Sequence, residues 1–229
     1  MILLTGDTHG DEDIKKLQAS NLSHLTKEDY VIICGDCGVL FLEKEKEESI
    51  ALYNSLPFTV LFVDGNHENF DLLNAYPVEE WHGGKVHKIT ESVIHLMRGQ
   101  VFDIDGKTFF TFGGGYSIDK AIRKPHYSWW PQEFPTEEEI QEGFKNLSKV
   151  KNKVDFVITH DCPSYLLQVV SLYAPYGSKD KFMPRESNIA LERFLTVLDF
   201  KHWYFGHYHM DRTLTEKYTC LYKTILQLF

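Results

Sequence analysis

Short apolar runs recur along the chain, and each breaks abruptly into Gly, Asp, Asn or His: Met1 to Leu4, Val31 to Ile33, Val60 to Val63, Phe109 to Phe112, Phe156 to Ile158 and Trp203 to Phe205. Runs this short, without polar alternation, predict strands covered on both faces. Helical patterns lie between them, over Glu12 to Ala19, Glu43 to Leu56, Glu137 to Val150 and Ile189 to Leu198. Thr136 and Glu139 form a capping-box signal for the third, and Ser187 or Asn188 is the expected cap of the fourth. Strand and helix alternating in this way imply crossover units. The middle differs: Val86 to Ile89, Val93 to Met97, Gln100 to Ile104 and Lys107 to Phe112 follow one another with only turn signals between, including Asp105-Gly106, and predict an antiparallel meander. Crossovers at both ends with a meander between them predict an α/β (α+β) fold of two packed sheets flanked by helices. With no repeat or flexible linker, residues 1–229 are expected to form a single domain. Tyr116 to Pro135 and Ser171 to Ser187 fit neither period and are expected to be long loops, which in compact domains are often functional.

The residues that interrupt the strands carry the chemistry: Gly6-Asp7-Thr8-His9-Gly10, Gly35-Asp36, Gly65-Asn66-His67-Glu68, Thr159-His160-Asp161 and Gly206-His207-Tyr208-His209. Each sits where a strand should end, and ligands of open α/β sheets bind in the crevice beyond the carboxyl ends of strands. Convergence there would gather carboxylates, imidazoles and an amide oxygen, a donor set suited to first-row divalent metals rather than to a thiolate site. The glycines are expected to allow tight turns that direct the following side chain inward.

Asp-x-His, Gly-Asp, Gly-Asn-His-Glu, a lone His and Gly-His-x-His, in that order, resemble the blocks of the calcineurin-like metallophosphoesterase family, from Met1 to His209. The resemblance implies a four-layer αββα sandwich of two mixed sheets. It makes Asp7, His9 and His209 ligands of one divalent metal ion and Asn66, His160 and His207 ligands of a second, with Asp36 bridging both. Two-metal hydrolysis of a phosphate ester by a metal-bridging hydroxide follows, with Asp36 and His67 as catalytic residues and His67 protonating the leaving oxygen or stabilising the pentacoordinate state. Manganese, iron, zinc and nickel all suit these donors, with manganese favoured to support activity. Cys37-Gly38-Val39 follows Asp36 and Asp64 precedes Gly65, unlike the protein serine/threonine phosphatases. No tyrosine ligand follows the Gly-Asp block, unlike purple acid phosphatases.

Glu68 and Asp161 are read either as orienting partners of ligand imidazoles or as solvated turn carboxylates. Cys34 and Cys37 are expected to be a buried and a loop cysteine. Gly113-Gly114-Gly115 is read either as a backbone cradle for phosphate or, in preference, as close packing beneath the metals, and Glu43 to Glu48 is expected to form a solvated helix face. The segment with Tyr116, Arg123, Lys124, His126, Tyr127, Trp129 and Trp130 mixes cations with rings, as a substrate-contacting loop or a folded cap would. Arg123 is its candidate phosphate clamp, acting with Asn66 and His67 on substrate. Histidines 24, 82, 87, 95, 126 and 202 fit no ligand spacing and default to structural or surface roles.

Composition narrows the function. A formal charge of -9 argues against strong nucleic-acid binding. Four unevenly spaced cysteines read as reduced thiols, and no basic leader or long uncharged apolar run appears, so the cytoplasm is the expected compartment and no membrane partner is expected. The expected function is a phosphomonoesterase or phosphodiesterase acting on a small phosphorylated substrate, nucleotides among the candidates. The alternatives are a non-catalytic binding or scaffolding module of the same fold and a nuclease of the same family.

Overall fold

A computed structural model describes residues 1–10, 13–175 and 182–228. Thirteen strands are present among these residues: β1 (Ile2–Thr5), β2 (Tyr30–Ile33), β3 (Thr59–Phe62), β4 (Val78–Trp81), β5 (Gly84–Thr90), β6 (Val93–Leu96), β7 (Gln100–Ile104), β8 (Lys107–Phe112), β9 (Lys153–Thr159), β10 (Asp199–Phe205), β11 (Arg212–Thr215), β12 (Tyr218–Cys220) and β13 (Leu226–Gln227). The helices are α1 (Lys46–Asn54), α2 (Phe70–Leu73), α3 (Glu137–Lys149), α4 (Leu167–Ser171) and α5 (Glu186–Phe194), with short 3-10 turns between elements.

The strands form two mixed sheets, one ordered β13-β1-β2-β3-β6-β5-β4 and the other β11-β12-β10-β9-β8-β7. Successive side chains of a strand point to opposite faces, and the runs β1 and β3 are buried throughout, so each feeds two cores. Ile2, Leu4, Ile32, Leu61 and Ile94 meet Phe102, Phe109, Ile158 and Tyr204 of the other sheet in a central layer. The alternate residues Leu3, Val31, Ile33, Val60 and Phe62 pack outward on Leu17, Tyr53 and Phe70. On the far side Phe110, Phe112, Val157, Trp203 and Phe205 pack on Ile140 and Leu147 of α3 and on Leu191 and Phe194 of α5. Three cores between four layers make the αββα sandwich.

Several boundaries differ from the sequence expectation. The meander is two hairpins on different sheets: β5 pairs with β6 in one and β7 with β8 in the other, and the chain crosses between sheets at Met97–Gly99. Of the helix expected over Glu12 to Ala19, Glu12 lies outside the described residues and only a 3-10 turn, Ile14–Lys16, forms. So short a segment cannot offset helix nucleation, and Lys16 instead donates to the carbonyls of Gly6, Asp7 and Tyr222. The helix expected over Glu43 to Leu56 starts as a 3-10 turn at Glu43–Glu45 and becomes α-helical at Lys46. Helix α5 begins before either expected cap: Asn188 lies at its third position and its side chain accepts a hydrogen bond from the Arg185 N–H at the N-cap. The Thr136–Glu139 capping box is present on α3. At the tip of the β7–β8 hairpin, Asp105 (φ 53°) and Gly106 (φ 71°) form the expected tight turn.

Candidate metal centre

The five polar motifs lie beyond the carboxyl ends of parallel strands. Strands β1, β2 and β3 run parallel in one sheet, and β9 and β10 in the other, so their ends open on the same edge of the sandwich. The chain turns sharply there. His9, Asp36, His207 and His209 all adopt left-handed backbone (φ 44°, 49°, 66° and 50°), at a cost of about 1–3 kcal/mol each that is usual at functional sites. Of the motif glycines, Gly35 does adopt a left-handed conformation (φ +87°). Gly65 serves close approach instead, since a Cβ there would stand 2.1 Å from Asp36 Oδ1.

Each carboxylate divides its oxygens between fold and cluster. Asp7 Oδ1 accepts from the His207 N–H (3.0 Å) while Oδ2 faces His209 Nε2 at 3.1 Å and His9 Nε2 at 4.0 Å. Asp36 Oδ1 accepts from the His67 N–H (2.7 Å) while Oδ2 faces His160 Nε2 at 3.4 Å and His9 Nε2 at 3.6 Å. His160 Nδ1 donates to the Cys34 carbonyl (3.0 Å), which turns Nε2 toward Asn66 Oδ1 (3.1 Å) and His207 Nδ1 (3.1 Å). His9 is oriented through Nδ1 by Asp13 (3.1 Å). Carboxylate, imidazole and amide atoms therefore converge, with neighbours separated by 3.1 to 4.0 Å.

A cation fits this cluster. Asp7 Oδ2 is buried and makes no geometrically acceptable hydrogen bond, although His209 Nε2 lies 3.1 Å away. Asp7, His9 and His209 can bring donor atoms within 4.8 Å of one another, as can Asp7, Asp36 and His160, and His9, Asp36 and His67. Two clustered sets sharing Asp36 are consistent with a dinuclear divalent-metal site, and the oxygen and nitrogen donors point to no particular metal.

Without metal, protons take the cation's place. Burial disfavours the imidazolium of His9, but Asp36, Asp7 and Asp13 outweigh it and raise the pKa to about 9. Burial is likewise outweighed at His160 by Asp36 and Asp7, giving about 10. Burial also opposes ionisation of Asp7 and Asp36, yet the neighbouring imidazoles hold both below the ordinary carboxylate value. Because the two histidine pKa values are raised by folding, their stabilisation of the metal-free fold is complete below the ordinary 6.5 and is lost as pH rises through about 9 and 10. Metal must displace these protons. We expect metal-free protein to melt progressively lower from pH 6.5 to 10, and metal binding to release protons in titrations run in buffers of different ionisation enthalpy; heats independent of buffer would refute the competition.

His67 sits beside the cluster. Burial lowers its pKa, helped by Arg123, His9 and His160 against Asp36. Its Nε2 lies 3.0 Å from Arg123 Nη2, a donor without acceptor capacity, so Nε2 holds a lone pair. Arg123 is steadied by Asp119 (2.7 Å) and the Ser128 carbonyl (3.1 Å). A cavity of about 280 Å³ opens beside them, lined by Asn66, His67, Tyr116, Ile118 and Arg123 together with Asp36 and His207. The segment 116–135 is thus a folded cap, with Trp129 and Trp130 buried, that also presents Arg123 to the cluster.

Glu68 and Asp161 fit neither reading of them. Both are buried, and neither touches an imidazole: Glu68 accepts from the Cys37 and Gly38 N–H groups, and Asp161 from the Cys162 N–H and the Ser187 and Tyr208 hydroxyls. They brace the loops from behind. All four cysteines are free and buried; Cys37 lies in the loop after β2, as expected, and is buried there. Gly113 and Gly115 do pack closely: a Cβ would stand 2.2 Å from Asp64 Oδ1 and 2.7 Å from His160 Cδ2. Asp13, Lys16, Ser117, Glu133 and Tyr222, whose ring stacks on His209 at 4.6 Å, were not singled out by sequence, and no local motif marks them.

A family model described as calcineurin-like phosphoesterase matches residues 1–211. The chain belongs to that family. Its fold and clustered Asp/His sets support a dinuclear metal hydrolase, a phosphoesterase in general terms. The chain is 23% identical over 169 residues to the lariat debranching enzyme of Schizosaccharomyces pombe, a match spanning 70% of this chain and 35%, about a third, of that protein. Among solved structures it resembles TT1561 of Thermus thermophilus (TM-score 0.50, 10% identity, 96% of this chain and 87% of that one). Phosphopantetheinyl hydrolase from Mycobacterium tuberculosis overlays with a TM-score of 0.49 at 16% identity, over the same shares, 96% and 87%. Such likeness concerns the fold alone. No described helix of the chain is long and apolar enough to cross a membrane.

Proposed function

We propose that residues 1–229 act as a single metallophosphoesterase domain that hydrolyses a small phosphomonoester or phosphodiester, a nucleotide among the candidate substrates. Asp7, His9 and His209 hold one ion, Asn66, His160 and His207 the other, and Asp36 bridges them. The observation that carries this reading is that one oxygen, Asp36 Oδ2, faces both His9 (3.6 Å) and His160 (3.4 Å), beside an Asp7 Oδ2 without a hydrogen bond. When bound, the ions supply an acidified water as nucleophile and neutralise phosphate oxygens.

The remaining work belongs to the chain. Asp36 ties the His67 N–H to the bridging position, so the imidazole is held beside the cluster. Arg123 is within reach of an incoming phosphate, and a bidentate contact to it would draw the guanidinium off His67 Nε2, freeing that nitrogen to hold the proton destined for the leaving oxygen. Asn66 and His67 line the same cavity and would contact the substrate with Arg123. Reduced, buried thiols support cytoplasmic placement.

Replacing His67 with Ala should lower kcat by roughly 10²–10⁴, the usual contribution of a general acid, and leave two metal ions bound. Elemental analysis decides between roles: an H67A protein that loses an ion makes His67 a ligand. The function itself is tested by supplying manganese, iron, zinc or nickel and assaying nucleotides, simple phosphomonoesters and phosphodiesters. Manganese is the metal we expect to support activity. Two bound ions with no turnover of any ester would favour a scaffolding role. The relative named for lariat debranching favours a second reading, a nuclease, which cleavage of a nucleic-acid phosphodiester in preference to small esters would select.

A further inference from the structure

The side chain of Asn66 has two faces that differ only in which atom is oxygen, and its proposed role requires the oxygen to face the metals. Amide O and N are nearly isosteric, and within the cluster the orientation is favoured by His160 Nε2, 3.1 Å from Oδ1. The opposite face supplies a second constraint. Asn66 Nδ2 lies 3.3 Å from Ser117 Oγ, and Ser117 Oγ lies 2.6 Å from Glu133 Oε2. The Ser117 N–H donates to the other carboxylate oxygen, Oε1, at 3.2 Å. All three residues are buried, Glu133 completely.

Proton counting then fixes the direction. Burial raises the Glu133 pKa, but the Ser117 N–H and hydroxyl face its two oxygens and favour the ionised form; a serine hydroxyl has one hydrogen and a carboxylate is acceptor-only, so that hydrogen goes to Glu133. Toward Asn66 the hydroxyl can present only a lone pair, which requires the amide NH₂. A flipped amide would set oxygen against that lone pair and NH₂ against the metals, leaving buried groups unsatisfied on both sides. The carboxylate is itself held in place: Glu133 accepts the Gly115 N–H on its carbonyl (3.1 Å), and its chain neighbours Gln132 and Phe134 give their carbonyls to the buried Arg98 (2.7 and 3.2 Å).

We infer that Ser117 and Glu133 are positioning residues that orient the Asn66 amide oxygen toward one of the two metal ions, so the cap segment 116–135 completes one metal site and not the other. The inference rests on the two-metal reading above. The hydrogen bonds run in one sense, from Asn66 NH₂ to the Ser117 hydroxyl to the Glu133 carboxylate, and reversing either link turns the amide.

The test uses the full chain and manganese chloride, with the number of ions bound and both affinities read by titration calorimetry and elemental analysis. S117A should weaken one of the two ions by roughly 10–100-fold, the usual effect of removing a group that orients a ligand, and leave the other within about twofold. S117T, which keeps the hydroxyl, should restore the weakened ion. E133Q can donate to Ser117 and so reverse the hydroxyl; it should mimic S117A, and it carries the same comparison should S117A not fold. Equal weakening of both ions, or two wild-type affinities in S117A or E133Q, overturns the inference while leaving the two-metal reading intact. Wild-type protein that binds fewer than two ions removes that reading, and the inference with it.

Discussion

Asp36→Ala will lose both metal ions and, with them, activity by at least the roughly 10²–10³ that loss of a single electrostatic group in an active site costs. Asp36 is buried, and its Oδ2 faces both His9 and His160, which the proposal assigns to different ions. Among the described residues, Asp7 is already committed, giving Oδ1 to the His207 N–H and turning Oδ2 to His209, and Asp13 is held on His9 Nδ1. The substitution also releases the His67 N–H from Oδ1, so the proposed acid loses its anchor along with the metals. Asp36→Asn separates the two effects: it keeps an oxygen for the His67 N–H but removes the charge, and should retain the loop while still binding metal weakly. An Asp36→Ala protein that binds two ions and turns over at the wild-type rate would end the bridging assignment.

The largest effect on stability is expected at Arg98, far from any recognised motif. Its guanidinium is buried, and its hydrogen bonds reach Asp64 from Nε and Nη2, the Gln132 carbonyl from Nη2, and the Phe134 carbonyl and Glu139 from Nη1. It thereby joins the strand end that leads into Gly65-Asn66 to the cap segment and to the first turn of α3. Arg98→Ala leaves Asp64 charged and buried with His95 as its remaining side-chain partner, at 3.2 Å. Breaking a buried pair in this way costs roughly 3–5 kcal/mol, which for a chain of this size lowers Tm by on the order of 10 °C. Burial opposes ionisation of Asp64, but Arg98 and His95 hold its carboxyl well below the ordinary value, so its contribution is present above that value and is lost as pH falls. The stability gap between wild type and Arg98→Ala should therefore narrow on acidification. A variant melting within about 2 °C of wild type at neutral pH, by calorimetry, would show that the pair contributes little beyond its own desolvation.

The same contrast between motif and tertiary contact runs through the whole molecule. The strand-end clusters were legible because β1, β2, β3, β9 and β10 are short apolar runs that stop where the polar residues begin, and a buried parallel strand announces its end by composition. The capping box at Thr136 and the Asp105-Gly106 turn were legible for the same reason: the interaction closes within four residues. By contrast, the meander was misjudged because two hairpins on one sheet and two hairpins on facing sheets have the same local pattern; Met97–Gly99 crosses between layers without any change of period. Glu68 and Asp161 were misjudged because their partners are backbone N–H groups and hydroxyls brought in by folding.

The sequence by itself determined the layered fold and the candidate donors, since both are written in local composition and in the order of motifs along the chain. Only the tertiary structure decided which way each donor points. Asp13 turns His9, the Cys34 carbonyl turns His160, and Ser117 with Glu133 turns Asn66. Orientation of a buried polar group is set by the partner that satisfies its other end, and except for Asp13 those partners lie too far along the chain for any local pattern to reveal them.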